Sequence, residues 1–476
     1  MLRITPAWVI GLVFAPLRAI LAQDTTVAAP PPPPPPVVDS LRCGFCNRPN
    51  VFRAIVQGPL GQAANNRFNL WVRGDTVADV SPASWRRNLE GTWGWDQDNF
   101  VVNMLGHPYA GSIHFAWGRT NGLSFWASTP FTFFNSVLWE YFGETTQPSI
   151  NDLVDTGLGG IALGEMFHRI AATIRNNEVG GGGRFLRELA ALPFDPVGTL
   201  NRGLRGEWSR RGPNPIEHNP LATVFRAGGG AGIVRAPGSL LTSLREAEYS
   251  SIIFADLKYG DAYRDTLRGP FAAFSARMLF APRHGGLTQL VGAGRITGAD
   301  ISRNERHRHQ LEFNQRFEYL NNGALQFGAQ TLELGVSSRV RLGGKFWLRT
   351  LAAGDAIVLA GINAPGAGTG KREYDFGPGA GGTFAAGIEH GGTPYLTVRY
   401  QPAWIRTLDG ANATHLMSLV GVEASIPVLS HVDLVVHSNY YDRLSRYADG
   451  TRSRRRFPEL RVMAALKTAR RAAIEQ

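Results

Sequence analysis

The feature that most constrains this chain is a period-two alternation of apolar and polar residues, which begins near residue 221 and recurs to residue 467. In the stretch 311–319, the odd positions are mostly Leu, Phe and Tyr, and the even positions are Glu, Asn and Arg. Such segments, each near ten residues and separated by Gly, Asp or Asn turns, are typical of antiparallel barrels that cross a membrane with alternate faces in lipid and lumen. The sequence therefore predicts a β-barrel over 221–467.

The number of strands follows from counting these segments. Thirteen candidates begin near residues 223, 250, 269, 286, 307, 323, 337, 354, 380, 393, 415, 431 and 456. Single-chain bacterial barrels have an even number of strands, so we predict about 12 strands and one spurious candidate. A soluble β-sandwich or barrel alternates too, but the long run of strands without helices, with Arg and Glu facing opposite Phe and Tyr, favours an outer-membrane-type barrel.

The first 22 residues have the pattern of a signal peptide. Arg3 supplies the positive charge, Ala7 to Ala15 form a short apolar core, and Ala22 is a small residue suited to the cleavage site. Export places the barrel in the outer membrane of a Gram-negative-type envelope. Residues 23–50 follow as a linker that contains an unbroken proline run, 30–36, which predicts a semi-rigid spacer.

Cys43 and Cys46 form a C-G-F-C motif and are the only two cysteines of the chain. In an oxidising compartment this spacing favours a local disulfide. A redox or metal-binding role stays the alternative, although the following residues do not provide the βα context of a thioredoxin motif.

The charge balance points to a partner. Charged residues make up only 18% of the chain, yet the net charge is +11. A basic balance suits the phosphates of lipid or nucleic acid. Because no set of zinc-finger cysteines and no interleaved basic–aromatic run is present, we expect membrane lipid or lipopolysaccharide, and no nucleic acid, as the partner.

Residues 51–183 predict a helical domain with a core at 95–174, followed by a linker over 184–220; a basic tail, 468–476, follows the barrel. Polar and small residues recur in the core at a spacing of four, in three ladders: Asn99, Asn103, His107, Gly111; Ser124, Ser128, Thr132, Ser136, Glu140, Glu144; and Asp152, Thr156, Gly160, Gly164, His168. Residues four apart stack on one helix face, although each step drifts by roughly 40°. Close helix contacts are therefore predicted at Asn99, Asn103, Ser136, Gly160 and Gly164.

Three interpretations of these polar residues stay open. In the first, His107 and one of the acids Glu140, Glu144, Asp152 or Glu165 form an acid–base pair that acts on a lipid or peptidoglycan fragment. In the second, Glu165 and His168 form part of a metal site with Glu140 and Glu144, although di-iron bundles use two Glu-x-x-His pairs and only one is visible. In the third, the buried polar groups satisfy each other structurally. We favour the third and expect no metal and no cofactor.

Several short motifs within this core resemble a bacterial family of exported proteins, domain of unknown function 3943. The residues that carry the resemblance are Asp96, Asp98, Phe100, Asn103, His107-Pro-Tyr-x-Gly111, Ser136-x-x-Trp-Glu140, Glu144, Ser149-x-Asn-Asp152 and Gly159-Gly-x-x-x-Gly-Glu165. The resemblance covers about 80 residues densely. It implies export but no particular reaction, since the family has no established chemistry.

Two functions are compatible with this organisation. The first is a structural or transport barrel in which the helical domain acts as a plug or a brace, docked at or in the barrel. The alternative is a membrane-embedded enzyme that acts on a lipid or cell-envelope substrate. The chain contains no G-x-S-x-G elbow, H-E-x-x-H helix or Walker loop, which excludes the hydrolase and nucleotide-binding classes that these motifs identify.

Overall fold

The computed structural model describes residues 48–212, 214, 220, 222–235, 247–263, 269–282, 286–304, 306–322, 325–364, 366, 372–390 and 393–471. The predicted signal peptide and proline run, and the predicted disulfide between Cys43 and Cys46, lie outside these residues. The described residues divide into two compact units. The helical unit comprises those up to Gly94 and those of Pro108–Asn219, and the barrel unit comprises those of Trp95–His107 and Pro220–Gln476.

The described part of the barrel unit contains twelve strands that close into one antiparallel barrel. They are β1 Ala222–Arg235, β2 Ala247–Tyr259, β3 Phe274–Ala281, β4 Gly286–Arg303, β5 His307–Asn321, β6 Gln326–Gly343, β7 Phe346–Ile362, β8 Asp375–His390, β9 Thr393–Arg406, β10 Ala413–Leu429, β11 Val432–Tyr447 and β12 Arg452–Arg471. Each strand pairs with its neighbours in the chain, and β1 pairs with β12 to close the ring. The predicted barrel and its 12 strands are confirmed.

Apart from β3, which has 8 residues, the strands are longer than the ten-residue segments of the sequence pattern. The candidate segment at 337 is the spurious one, because it lies within β6. There Ser337 and Ser338 interrupt the apolar face, although the strand continues beyond them. The basic tail predicted at 468–476 also begins as strand, since β12 runs to Arg471 and pairs with β1.

The alternation separates the two faces of the barrel wall. On β10 the outward side chains Leu416, Val420 and Val422 are exposed, and they form part of an apolar outer band. The inward side chains on β5 are polar, and Arg316 and Glu318 are buried in the lumen. An apolar exterior around a polar interior is the arrangement of a barrel that crosses a membrane.

The helical unit is built mainly from α-helices, with short 3₁₀ and π-helical turns. The helices are α1 Val51–Trp71, α2 Pro82–Glu90, α3 His107–Arg119, α4 Phe125–Leu138, α5 Ile150–Val154, α6 Gly160–Ile174, α7 Gly181–Ala191 and α8 Pro196–Leu204. A 3₁₀ turn at Thr76–Ala78 and π-helical turns at Trp139–Gly143 and Asp155–Gly159 complete the elements of this unit. A further π-helical turn, Val102–Gly106, belongs to the barrel unit. No described helix is both long and apolar enough to cross a membrane.

Two of these helices correct the predicted domain boundaries. Residues 184–220 were expected to be a linker, but α7 and α8 occupy residues 181–204. The glycine run 180–183 lies at the start of α7, with Gly180 as its N-cap. The charged residues of the two helices are largely buried and paired with each other, as described below.

Candidate functional site

The segment Trp95–His107 carries the first part of the family motif and belongs to the barrel unit. Asp96, Asp98 and His107 each place one oxygen or nitrogen atom within 4.8 Å of the others. Asp98 is exposed, and Asp96 and His107 are partly buried. Two carboxylates and an imidazole are ligands that zinc, manganese or iron accept. The structure thus gives His107 acidic neighbours that the sequence analysis did not consider, in a cluster that fits a cation.

Aromatic contacts hold this segment against the barrel wall. Phe100 stacks on Tyr319, with ring centroids 5.7 Å apart, and meets Tyr374 edge-on at 5.3 Å. Trp95 stacks on Phe376 at 5.4 Å. The side-chain amide of Asn103 donates a 2.6 Å hydrogen bond to the hydroxyl group of Tyr374. Aromatic pairs of this kind stabilise a contact by more than the area that they bury. The wall residues Tyr319, Tyr374 and Phe376 thus form the surface on which the segment packs, called the aromatic seat below.

The seat lies on the outer face of the wall, not in the lumen. On β5 the even-numbered side chains, such as Arg316 and Glu318, line the lumen. Tyr319 therefore points outward. Gly328 and Gly361 lie beside it in register on β6 and β7. A Cβ at Gly328 would lie 2.5 Å from Sδ of Met104, and one at Gly361 would lie 2.9 Å from the same atom. These glycines allow the segment to approach the backbone of the wall closely.

Asn99 and Asn103 do not make the helix contacts predicted for them. Asn99 is exposed, and its side-chain oxygen accepts hydrogen bonds from the backbone N–H groups of Val101 and Val102, both at 3.1 Å. Asn103 is buried, but against the barrel residue Tyr374. The i+4 spacing is the same as in the other ladders, but here one polar residue caps a helical turn and the next contacts Tyr374, just before β8.

The second and third ladders form buried ridges within the helical unit. Ser128, Thr132, Ser136 and Glu140 are all at most 2% exposed. An uninterrupted α-helix would rotate such a series away from one partner. The π turns at Trp139–Gly143 and Asp155–Gly159 close their hydrogen bonds over one more residue. The π turns therefore offset part of this drift between Ser136 and Glu140 and between Thr156 and Gly160.

Gly160 and Gly164 lie on the third ladder, where the helices approach closely. Gly160 faces Gly111 of α3, and a Cβ on Gly160 would lie 2.5 Å from Cα of Gly111. A Cβ on Gly164 would lie 2.8 Å from Cβ of Phe115. Contacts between backbones at this range require residues without side chains.

The acids of the predicted catalytic set have structural surroundings in the helical unit. The carboxylate of Glu140 is buried and accepts a 2.8 Å hydrogen bond from the backbone N–H of Ser149. Asp152 is buried, and its carboxylate accepts a 2.7 Å hydrogen bond from the amide of Asn151. The carbonyl of Glu144 accepts a 3.0 Å hydrogen bond from the amide of Asn88. All three belong to the helical unit, whereas His107 belongs to the barrel unit.

Glu165 is the most constrained of these acids. Its carboxylate is fully buried between two guanidinium groups, Nε of Arg119 at 2.8 Å and Nε of Arg169 at 2.9 Å. Burial alone would raise the pKa of Glu165, but Arg119, Arg169 and His168 outweigh it and hold this pKa below its usual range. The carboxylate thus stays ionised and balanced by two arginines, which argues against the metal site suggested by Glu165-x-x-His168.

A buried ion network in α7 and α8 was missed by the sequence analysis. Glu188 is fully buried and receives Nε of Arg175 at 3.1 Å, Nη2 of Arg202 at 2.9 Å and Nε of Arg184 at 3.4 Å. Asp195 caps α8 by accepting a 2.7 Å hydrogen bond from the N–H of Gly198. The dipeptide Asp195-Pro196 at the start of a helix was the available signal, because Asp is a favoured N-cap and Pro a favoured first residue.

His168 belongs to the edge of this network. Its Nδ1 lies 3.8 Å from the carboxylate of Asp195, which also receives Nη1 of Arg175 at 2.8 Å. Burial alone would raise the pKa of Asp195, but Arg175 and His168 together lower it. His168 therefore pairs with an acid of the neighbouring helix, and the sequence offered no sign of that partner.

Part of the chain matches a known protein family. Residues 92–197 match the family described as Domain of unknown function (DUF3943). The resemblance is confirmed over this segment. It takes in the outer-wall segment, both buried ridges and the cap of α8. No curated protein matches the chain.

Solved structures of outer-membrane barrels match the chain over about half of its length. OmpT, an outer membrane protein of Vibrio cholerae, is 10% identical, with 52% of this chain and 98% of that chain covered and a TM-score of 0.20. The NanC porin is 8% identical, covering 50% and 98%, with a TM-score of 0.24. The outer membrane channel DcaP of Acinetobacter baumannii is 9% identical, covering 52% and 97%, with a TM-score of 0.22. The strand order of this chain, not these likenesses, establishes its barrel.

Proposed function

We propose that this protein is a structural element of the outer membrane: a barrel whose lumen is closed to passive diffusion and whose outer wall is braced by the segment Trp95–His107. The observation that carries the proposal is a set of ion pairs that cross the lumen. Export, predicted from the signal segment, and the apolar outer band support the location in the outer membrane.

One ion pair spans the full width of the barrel. Lys258 lies on β2 and Glu389 on β8, which are six places apart in a ring of twelve strands and therefore opposite each other. Nζ of Lys258 nevertheless lies 3.2 Å from the carboxylate of Glu389, which also receives Arg349 at 2.9 Å. Side chains that meet across the diameter leave no room for a porin-sized solute.

A second cluster of ion pairs joins strands that are not neighbours. Arg226 on β1 and Arg277 on β3 both contact the carboxylates of Asp256 on β2 and Glu423 on β10. Arg226 lies 2.6 Å from Asp256 and 2.7 Å from Glu423. Buried pairs with several partners are strongly held because the loss of one partner leaves an uncompensated charge. The lumen is thus obstructed in more than one cluster.

We expect no stable ion conductance when the purified full-length protein is inserted into planar lipid bilayers. The two groups of ion pairs both obstruct the lumen, and each must be removed before water can pass through the barrel. The charge-neutral combination K258A, E389A, R277A and E423A is expected to conduct. Retained heat-modifiable mobility on gels would show that this variant still forms the barrel. A steady ohmic conductance of the unchanged protein would refute the closed-lumen proposal.

A second candidate function is metal-assisted chemistry on an envelope substrate. The specific observation is the cluster of His107 with Asp96 and Asp98. A cation held there would supply a Lewis acid or an activated water. The cluster stands next to the aromatic seat, so either role would depend on the same docking of the segment.

The variant His107→Ala separates the two candidates. Under the structural proposal this variant should assemble normally, because Phe100, Trp95 and Asn103 still hold the segment. It should therefore make a strain that lacks the protein resistant to detergent, as the unchanged protein does. Detergent survival and barrel yield on unheated gels are the measurements. Normal assembly together with complete failure to restore resistance would favour the metal-dependent enzyme. F100A is the matched comparison, because it removes the ring that packs on Tyr319 and Tyr374.

A further inference from the structure

Within the part of the chain that the structure describes, Arg399 differs from the lumen residues Arg226, Arg277 and Arg316 in forming no ion pair with a carboxylate. Arg399 lies on β9, and its side chain is accessible within the barrel. By contrast, Arg226 and Arg277 each lie 2.6 Å from Asp256, and Arg316 lies 2.6 Å from Asp355. Across the described ranges, no carboxylate forms an ion pair with Arg399. Arg399 is therefore a cation without a carboxylate in direct contact.

Arg399 stands where two lumen cavities meet. It lines both a cavity of about 360 Å³ and a neighbouring one of about 220 Å³, and Lys258 and Thr397 also line both. Gln401 adds an amide to the wall of the larger cavity. Taken together, the two walls hold eight basic and six acidic side chains. The space around Arg399 thus combines hydrogen-bond donors with an excess of positive charge.

Both signs of charge lie near Arg399: Arg277 and Arg316, and the carboxylates of Glu423 and Glu318. These carboxylates already form ion pairs with Arg277 and Arg316. Walls of low polarisability focus such a field and raise the local concentration of anions. An unpaired guanidinium in this setting is stabilised when an anion joins it.

We propose that Arg399 anchors an anion-binding site in the lumen, which takes a small molecule bearing a carboxylate or a phosphate group. A guanidinium presents parallel N–H donors that match both of these groups in a bidentate manner. The larger cavity falls within the range of about 300–1,000 Å³ that is usual for small-molecule sites. Thr397 and Gln401 supply further donors from the same strand. The site needs no passage through the barrel and therefore does not depend on the closed-lumen proposal.

The test is calorimetric titration of the full-length protein in neutral detergent at low ionic strength, with inorganic phosphate and with acetate as separate probes. The unchanged protein should bind one of these anions saturably with a dissociation constant in the millimolar range or below. R399Q should weaken binding by about tenfold or more, and R399K, which keeps the charge but loses the fork, should weaken it less. R452Q, on the exposed start of β12, should bind like the unchanged protein.

The two probes identify the group that the site takes: saturation by phosphate alone assigns a phosphate, saturation by acetate alone assigns a carboxylate, and competition between them assigns the shared oxyanion chemistry. Gel mobility before and after heating shows that each variant forms the barrel. Absence of saturable binding by the unchanged protein, or equal binding by R399Q and R452Q, would overturn the proposal.

Discussion

Gly160→Leu is expected to separate α3 from α6 and to remove most of the amide-exchange protection of both helices. Cβ at Gly160 would lie 2.5 Å from Cα of Gly111, and Cβ at Gly111 would lie 2.8 Å from Cα of Gly160. Both atoms are backbone, so no side chain can rotate to make room. Overpacking costs about 1–3 kcal/mol where side chains can adjust, and we expect the upper end of this range or more here.

Hydrogen exchange of the full-length protein, resolved by peptide, measures this effect. Gly164→Leu should be milder, because its Cβ would meet the side chain of Phe115, which can move. Gly182→Leu is the control, since a Cβ at Gly182 meets nothing within 4 Å. Glu140→Gln should also cost less than Gly160→Leu, because it keeps the size of the side chain. Equal protection in Gly160→Leu and Gly182→Leu would show that the ridge does not hold the helices.

The parts of this fold that the sequence predicted are those governed by local periodicity. Alternation at every second residue predicted the barrel, and the even number of strands in single-chain barrels reduced thirteen candidate segments to the 12 strands that the structure has. The spurious candidate at 337 arose because Ser337 and Ser338 weaken the pattern inside one long strand. Where a single chemical pattern decides the structure, one sequence is sufficient.

The parts that could not be predicted depend on partners distant in the chain. Glu389 meets Lys258 across the lumen, 131 residues away, and Phe100 packs on Tyr319 on the outer wall. Nothing in the local sequence names such partners. Likewise, residues 184–205 were expected to belong to a linker, because nothing in their local sequence shows that their charged side chains meet buried partners of opposite charge. The candidate site was therefore predicted by residue type, but not by its neighbours.

Glu188→Gln is expected to destabilise α7 and α8 by about 3–5 kcal/mol, the usual cost of removing one partner from a buried ion pair. The carboxylate of Glu188 is fully buried and is shared by Arg175, Arg184 and Arg202. A neutral amide of the same size leaves three guanidinium groups with too little negative charge nearby. The free energy of local opening, obtained from hydrogen exchange of peptides covering 181–204, measures this loss.

Glu90→Gln is the matched control, because Glu90 forms a 2.8 Å ion pair with Arg86 on the surface, where the two side chains are 64% and 78% exposed. Exposed pairs on one helix contribute less than about 0.5 kcal/mol, so this variant should exchange like the unchanged protein. The contrast tests the burial of the network directly. If Glu188→Gln and Glu90→Gln have equal effects, then water reaches Glu188, and the segment behaves as the linker that was predicted for residues 184–220.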